Sequence, residues 1–293
     1  MTTRTEAWLM AARPKTLPAA ASAVIVGVAA AIRDGVFSPL PALAALLIAL
    51  LLQIGANIAN DLFDFYRGAD TAERLGPTRV TQAGLLSPHQ VRTGMWVTFG
   101  LAALLGVYLV WRIGWAAVWI GVLAILAAVA YSGGPFPYGY YALGDLAVFI
   151  FFGPVAVAGT YLAQAGMVSP LAWWASLPMG LLITAILVVN NLRDIETDRA
   201  AGKRTLAVLL GPRGTRLEYL LCLLLAYLSP LVMGLSGVTS FGGLLTWFSL
   251  PLAYRQWRGL HNEGRALNVT LAGTARLTLI YALLFSLGIV LIP

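Results

Sequence analysis

Apolar residues run along this chain in stretches of about 20, the length a helix needs to cross the ~30 Å hydrocarbon core of a bilayer. The stretches fall near residues 16–33, 40–60, 93–111, 114–131, 144–163, 170–190, 216–235, 241–257 and 270–291. They predict an all-α polytopic membrane protein with nine transmembrane helices around a central cavity. Only Arg112-Ile113-Gly114 separates the third stretch from the fourth, so a tight hairpin is expected there.

Composition agrees with that pattern. Of 293 residues, 59% are hydrophobic and 11% charged, with a mean hydropathy of +0.82. Soluble domains carry about 25% charged residues to solvate their surface. The lone cysteine, Cys222, excludes an intrachain disulfide. Met1–Lys15 is short and polar and does not read as a cleavable signal peptide. Charge then orients the chain. The side holding the N-terminus and the loops after even-numbered spans carries 16 of the 19 Lys and Arg residues. Short basic loops stay cytoplasmic, which places the N-terminus inside, the C-terminus outside and the protein in the cell membrane. The net charge of +7 is thus a topology signal and not a sign of nucleic-acid binding. Eleven of twelve acidic residues lie on the same side, which topology does not require.

Those acids concentrate in two segments. One runs Asn57-Ile58-Ala59-Asn60-Asp61-Leu62-Phe63-Asp64-Phe65-Tyr66-Arg67-Gly68-Ala69-Asp70, the other Asn190-Asn191-Leu192-Arg193-Asp194-Ile195-Glu196-Thr197-Asp198-Arg199. Asn60-Asp61-Leu62-x-Asp64 aligns with Asn190-Asn191-Leu192-x-Asp194, 130 residues later, each at the cytoplasmic end of an even-numbered span. Basic residues with a nearby Thr follow both, as Arg79-Val80-Thr81 and Lys203-Arg204-Thr205. The chain therefore reads as a single domain, 1–293, of two pseudo-repeat halves, roughly 16–131 and 144–291, facing one cavity. Residues four apart share a helix face, so Asn60 projects with Asp64, and Asn190 with Asp194 and Asp198. Carboxylates so placed repel one another unless a cation joins them. Oxygen ligands of this kind suit Mg²⁺, which keeps waters and bridges to phosphates. Asn60, Asp61, Asp64, Asp70, Asn190, Asp194 and Asp198 are the candidate metal ligands. Glu73, Glu196 and Glu218 read as solvated charges. A cation pathway of a transporter is the competing reading. Arg67, Arg79, Lys203 and Arg204 count against it, because they would repel a cation and hold a phosphate.

Asn60-Asp61-x-x-Asp64 and Asn190-x-x-x-Asp194-x-x-x-Asp198 on nine spans resemble the intramembrane aromatic prenyltransferases of the UbiA superfamily. The likeness covers nearly the whole chain. It rests also on Gly68–Gly84, with Leu75-Gly76-Pro77-Thr78-Arg79-Val80-Thr81-Gln82-Ala83-Gly84, on Tyr131–Tyr140, and on Asn190–Thr205. The 4-hydroxybenzoate branch typically has an Asp at the places of Gly68 and Asn190. Their absence here points to the branch acting on 1,4-dihydroxy-2-naphthoate.

The resemblance implies a polyprenyl diphosphate donor, an aromatic acid acceptor, a lipid bilayer setting and Mg²⁺, with no nucleic acid and no obligate protein partner. The implied reaction gives demethylmenaquinol with loss of diphosphate and CO₂, with 4-hydroxybenzoate or homogentisate as alternative acceptors. Asp64, Asp194, Arg79 and Lys203 are the expected catalytic residues. Asn57, Asn60, Arg67, Arg79, Asn190, Lys203 and Arg204 are expected to bind substrate. Tyr131, Tyr138 and Tyr140 are the candidate acceptor contacts, in a stretch whose Gly and Pro residues exclude a long helix. An interfacial aromatic belt is the other reading of those tyrosines. Asp145 is expected as a helix cap, with orientation of the acceptor as the other reading; Arg13–Pro18 reads as a border of the site or as part of the topology signal; and Arg276 is expected to need a partner or to snorkel. Small residues such as Gly121, Ala127, Ala128, Gly153 and Gly159 suit either an apolar groove for the prenyl tail or close helix packing.

Overall fold

The computed structural model describes residues 2–69 and 75–292. Among these the chain is helical throughout, with no β-strand. Ser-Pro dipeptides open three of the long helices: Pro39–Tyr66 (α3), Pro88–Ile113 (α4) and Pro170–Ala200 (α8). Pro at the first helical position lacks only an N–H that the helix could not use, and its φ is already helical. Ser87 and Gln90 form a reciprocal capping box, and Ser169 accepts from the amide of Ala172.

Among the described residues seven stretches are long and apolar enough to cross a membrane: Arg4–Arg33, Pro39–Tyr66, Pro88–Ile113, Gly144–Ala165, Pro170–Ala200, Leu206–Leu235 and Gly264–Leu291. Within the first, a short helix (α1, Arg4–Ala12) turns at Arg13, whose φ is 50°, into α2 (Leu17–Arg33). The two remaining expected spans depart from ideal length or geometry. Trp115–Ala130 (α5) has 16 residues, about 24 Å at 1.5 Å per residue, short of the ~30 Å core. Residues 241–257 form a 3₁₀ segment, Phe241–Ser249, followed by α10 (Leu250–Gly259). A Cβ placed on Gly242 would meet the Gly288 carbonyl of α11 (Leu267–Leu291), so two backbones touch there because neither carries a side chain. The stretch Gly144–Ala165 comprises α6 (Gly144–Ile150), a π-helical segment (Phe151–Ala158) around Pro154, and α7 (Gly159–Ala165). Pro154 has no N–H for the regular ladder, and the wider π turn accommodates it.

The core has two parts. The smaller joins α1, α3 and α4 through Ala7, Ile58, Leu62, Met95 and Phe99. The larger joins α2, the π segment, α8, α9 (Leu206–Leu235) and α11. At 28 and 31 residues, α3 and α8 outrun the bilayer core. The last two turns of α3, with Asn60–Asp64, and the last three of α8, with Asn190–Asp198, therefore extend past the apolar stretch as uninterrupted helix.

Gly27 of α2 makes a testable packing contact. Its Cβ position lies 2.6 Å from the Val157 carbonyl oxygen and 2.8 Å from Thr160 Cβ. Overpacking of this sort costs about 1–3 kcal/mol. Gly27→Leu should lower the thermal midpoint of the purified protein by several degrees. Gly100→Ala, where no atom lies within 4 Å, should not lower it.

Candidate functional site

Helix ends from both halves of the chain meet at one polar cluster. Asp64, one turn after Asn60 on α3, is 3% exposed and receives three groups. Arg79 Nη2 lies 2.7 Å from its Oδ2, and the Tyr140 hydroxyl donates to Oδ1 at 2.8 Å. The Lys203 ammonium lies 3.8 Å from the same Oδ1. That ammonium is also 3.5 Å from Asp198 Oδ1, on the other half of the chain. One cation thus stands between carboxylates 134 positions apart. Lys203 is held there by its own amide, which donates to the Asp198 carbonyl at 2.9 Å after the left-handed turn at Gly202. Its ammonium also sits 4.7 Å from the centre of the Tyr140 ring, within cation–π range.

The second carboxylate cluster is organised by Arg193. Its Nε and Nη2 contact both oxygens of Asp194, at 2.8 and 2.5 Å, a bidentate ion pair. Nη2 also reaches Asn190 Oδ1 at 2.8 Å, and Nη1 reaches Asn268 Oδ1 of α11 at 2.7 Å.

These groups line one end of a cavity of about 1230 Å³. Asn60, Asp64, Arg79, Asn190, Asp194, Asp198 and Lys203 contribute its polar wall, and Arg13, Lys15 and Thr16 line it as well. Away from them the walls turn apolar, through Val107, Val110, Gly121, Ile125, Phe152 and Ala156. Such a shape fits a molecule with a highly charged head and a long hydrocarbon tail.

The donor set is oxygen only and includes Asp64, Asp194, Asp198, Asn60 and Asn190, which suits Mg²⁺. Among the described residues no three His, Cys, Asp or Glu side chains group tightly enough to hold a metal alone. The residues fit an ion that completes its shell with phosphate oxygens, the usual arrangement for Mg²⁺.

The sequence model of the UbiA prenyltransferase family matches residues 20–280. This chain belongs to the UbiA prenyltransferase family. It is 41% identical to the 1,4-dihydroxy-2-naphthoate octaprenyltransferase of Escherichia coli (strain K12), over 98% of this chain and 96% of that one. The protein of the same name from Mycobacterium tuberculosis (strain ATCC 25618 / H37Rv) is 39% identical over 94% of each chain. Among solved structures, the apo UbiA homolog from Aeropyrum pernix K1 superposes with a TM-score of 0.68 at 17% identity, covering 93% of this chain and 97% of that one. A UbiA homolog from Archaeoglobus fulgidus bound to GPP and Mg²⁺ gives 0.65 at 15%, covering 98% and 100%.

Within this UbiA fold the expected residues separate by task. Tyr131, Tyr138 and Tyr140 all line the cavity. The Tyr138 hydroxyl donates to the Ala127 carbonyl at 2.8 Å, and burial pushes its pKa up to about 12, so it stays a neutral donor. Asn57 also lines the cavity, but its amide ties Ala12 and Thr16 to α3, at 3.0 and 2.9 Å. Arg67 turns away and pins the tyrosine loop, donating to the carbonyls of Ser132 and Gly134 at 3.0 and 2.5 Å. Arg204 is exposed and contributes its backbone amide, which donates to the Tyr140 carbonyl at 2.8 Å. The carboxylate of Asp61 faces the segment at Val80–Thr81. Asp70 lies outside the described residues. Asp145 is not a side-chain cap: it sits in the first turn of α6, buried, with Leu143 at the cap position. Arg276 is exposed on α11. Of the small residues, Gly121, Ala127, Ala128 and Gly159 line the cavity, whereas Gly153 packs against Ser176 and Gly180.

Sequence reasoning passed over Arg193, Asn268 and Ser132. Ser132 donates to Asn60 Oδ1 at 2.9 Å, and Asn268 Nδ2 donates to the Leu75 carbonyl at 3.0 Å. A polar Asn at the start of an apolar stretch was the one available signal for Asn268.

Removing one partner from a buried ion pair costs about 3–5 kcal/mol, because the other charge stays buried. Asp64→Ala should therefore lower the thermal midpoint markedly, and Asp64→Ala/Arg79→Met should recover much of the loss. Differential scanning fluorimetry in detergent compares the two.

Proposed function

We propose that this protein transfers a polyprenyl group from polyprenyl diphosphate to 1,4-dihydroxy-2-naphthoate, releasing diphosphate and CO₂. The observation that carries the reading is the single Lys203 ammonium joining Asp64 and Asp198 at the head of an apolar cavity. A site for a diphosphate head and a polyisoprenoid tail needs that juxtaposition. The names of the relatives supply the acceptor.

The chain's own residues do the following work on this reading. Arg79 and Lys203 stabilise the charge that grows on the diphosphate as its bond to the allylic carbon breaks. Asp64, Asp194 and Asp198, with Asn60 and Asn190, hold Mg²⁺, which when bound neutralises diphosphate charge. The apolar walls exclude water from the allylic cation. Tyr131, Tyr138 and Tyr140 offer ring faces and hydroxyls to the acceptor beside the polar end. The ring carbon bearing the carboxylate attacks the cation, forming the new C–C bond. The carboxylate then leaves as CO₂, and the electron pair of its bond restores the aromatic ring, so carbon and charge balance.

The same reading puts the protein in the cell membrane with nine spans, counting α5 and Phe241–Gly259, and with its N-terminus in the cytoplasm. The polar site then faces the cytoplasm, where the water-soluble acceptor and the diphosphate product are handled. The bias of 16 of 19 basic residues supports that orientation.

Purified protein in lipid, given octaprenyl diphosphate, Mg²⁺ and 1,4-dihydroxy-2-naphthoate, should form the prenylated, decarboxylated product seen by mass spectrometry. EDTA should abolish the product, and Asp194→Asn should slow its formation by on the order of 10²-fold or more. Faster turnover of 4-hydroxybenzoate or homogentisate would overturn the acceptor. Undiminished turnover in EDTA would overturn the metal requirement.

A further inference from the structure

Asp61 stands between Asn60 and Asp64 in sequence but serves a different surface. Asn60 and Asp64 line the cavity, and Asp61, 1% exposed, does not. Its two oxygens are committed to one short segment. Oδ1 accepts the Thr81 amide at 3.0 Å and the Thr81 hydroxyl at 2.5 Å, and Oδ2 accepts the Val80 amide at 3.0 Å. Val80 is itself fully buried in the core cluster that contains Ile58 and Leu62. The residue immediately before this clamped pair is Arg79, whose guanidinium reaches Asp64.

We propose that Asp61 is the positioning residue for Arg79, fixing the backbone from which that guanidinium reaches the diphosphate, and that it is not a metal ligand. The inference rests on the function proposed above. The two halves of the chain differ in the way this role requires. At the matching place in the second half the residue is Asn191, with no carboxylate. There the basic residue needs no such clamp. Thr205, the counterpart of Thr81, caps α9 by accepting from the Val208 amide, so the helix start itself sets the backbone after Lys203 and Arg204. Arg79 has no helix beside it: Thr78 and Arg79 are irregular and Val80 starts a turn. A carboxylate is the side chain that accepts at both oxygens. An amide offers one oxygen, and its NH₂ would face a second N–H.

Asp61→Asn and Thr81→Val test the clamp from its two sides, with Thr81→Ser, which keeps the hydroxyl, as the conservative control. Hydrogen exchange read by mass spectrometry should show faster exchange at Val80 and Thr81 in both disruptive variants, and wild-type exchange in Thr81→Ser. In prenyl transfer, Asp61→Asn should lower kcat/KM for the polyprenyl diphosphate by about 10–100-fold, the range for residues that orient a direct ligand. The Mg²⁺ concentration giving half-maximal rate should stay within about twofold of wild type, and Asp61→Asn/Arg79→Met should be little worse than Arg79→Met, since coupled residues are non-additive. A Mg²⁺ midpoint raised about tenfold or more in Asp61→Asn, or unchanged exchange at Val80 and Thr81, overturns the inference. The exchange readout needs no turnover, so an inactive wild type would count against the proposed reaction alone.

Discussion

Charge inside a membrane protein is tolerated only where it is paired, and the ammonium of Lys203 shows how this chain meets that constraint. It lies 3.8 Å from Asp64 and 3.5 Å from Asp198, so one cation ties the acidic ends of α3 and α8 to each other. Arg79 and Arg193 complete the neutralisation, each against its own carboxylate. The surrounding architecture follows from bringing these groups together. Helices α3 and α8 run past the apolar layer to present them, and loops from both halves fold over to supply the cations.

The cluster is also suited to exchange partners. A diphosphate with Mg²⁺ carries both signs of charge in one ligand, so it can take up the cations and the carboxylates together. On the proposed reaction, Arg79 and Lys203 would hold phosphate oxygens and the acidic side chains would hold the metal. Tyr140 sits at the junction, with its hydroxyl on Asp64 and its ring within cation–π range of both Arg67 and Lys203. It links the Tyr131–Tyr140 loop to the charged end, beside which the proposed reaction would place the aromatic acceptor.

Much of this was legible in the sequence because membrane helices announce themselves by length and because Asn60–Asp64 and Asn190–Asp194 repeat in register. The i, i+4 spacing correctly put Asn60 and Asp64 on the cavity face. Asn57, expected to bind substrate, and Asp61, expected as a metal ligand, show where periodicity reaches its limit. Asn57 also ties the turn before α2, and Asp61 looks to Val80–Thr81, because a helix face does not say which neighbour a side chain meets. Arg193 was hidden by adjacency: neighbours on a helix point apart, yet a long guanidinium stem curls back onto Asp194. Asn268 comes from a distant helix, and the π turn at Phe151–Ala158 depends on tertiary packing around Pro154. Neither leaves a local pattern.

The central claim is that one Mg²⁺–diphosphate site is built jointly by the two halves. Electron paramagnetic resonance of Mn²⁺, substituting for Mg²⁺ in the presence of a non-hydrolysable prenyl thiodiphosphate, measures it directly. Wild-type protein should bind Mn²⁺ only with the analogue, and Asp64→Asn and Asp194→Asn should each weaken that binding sharply. Wild-type Mn²⁺ binding in either variant would contradict a site shared by the two halves.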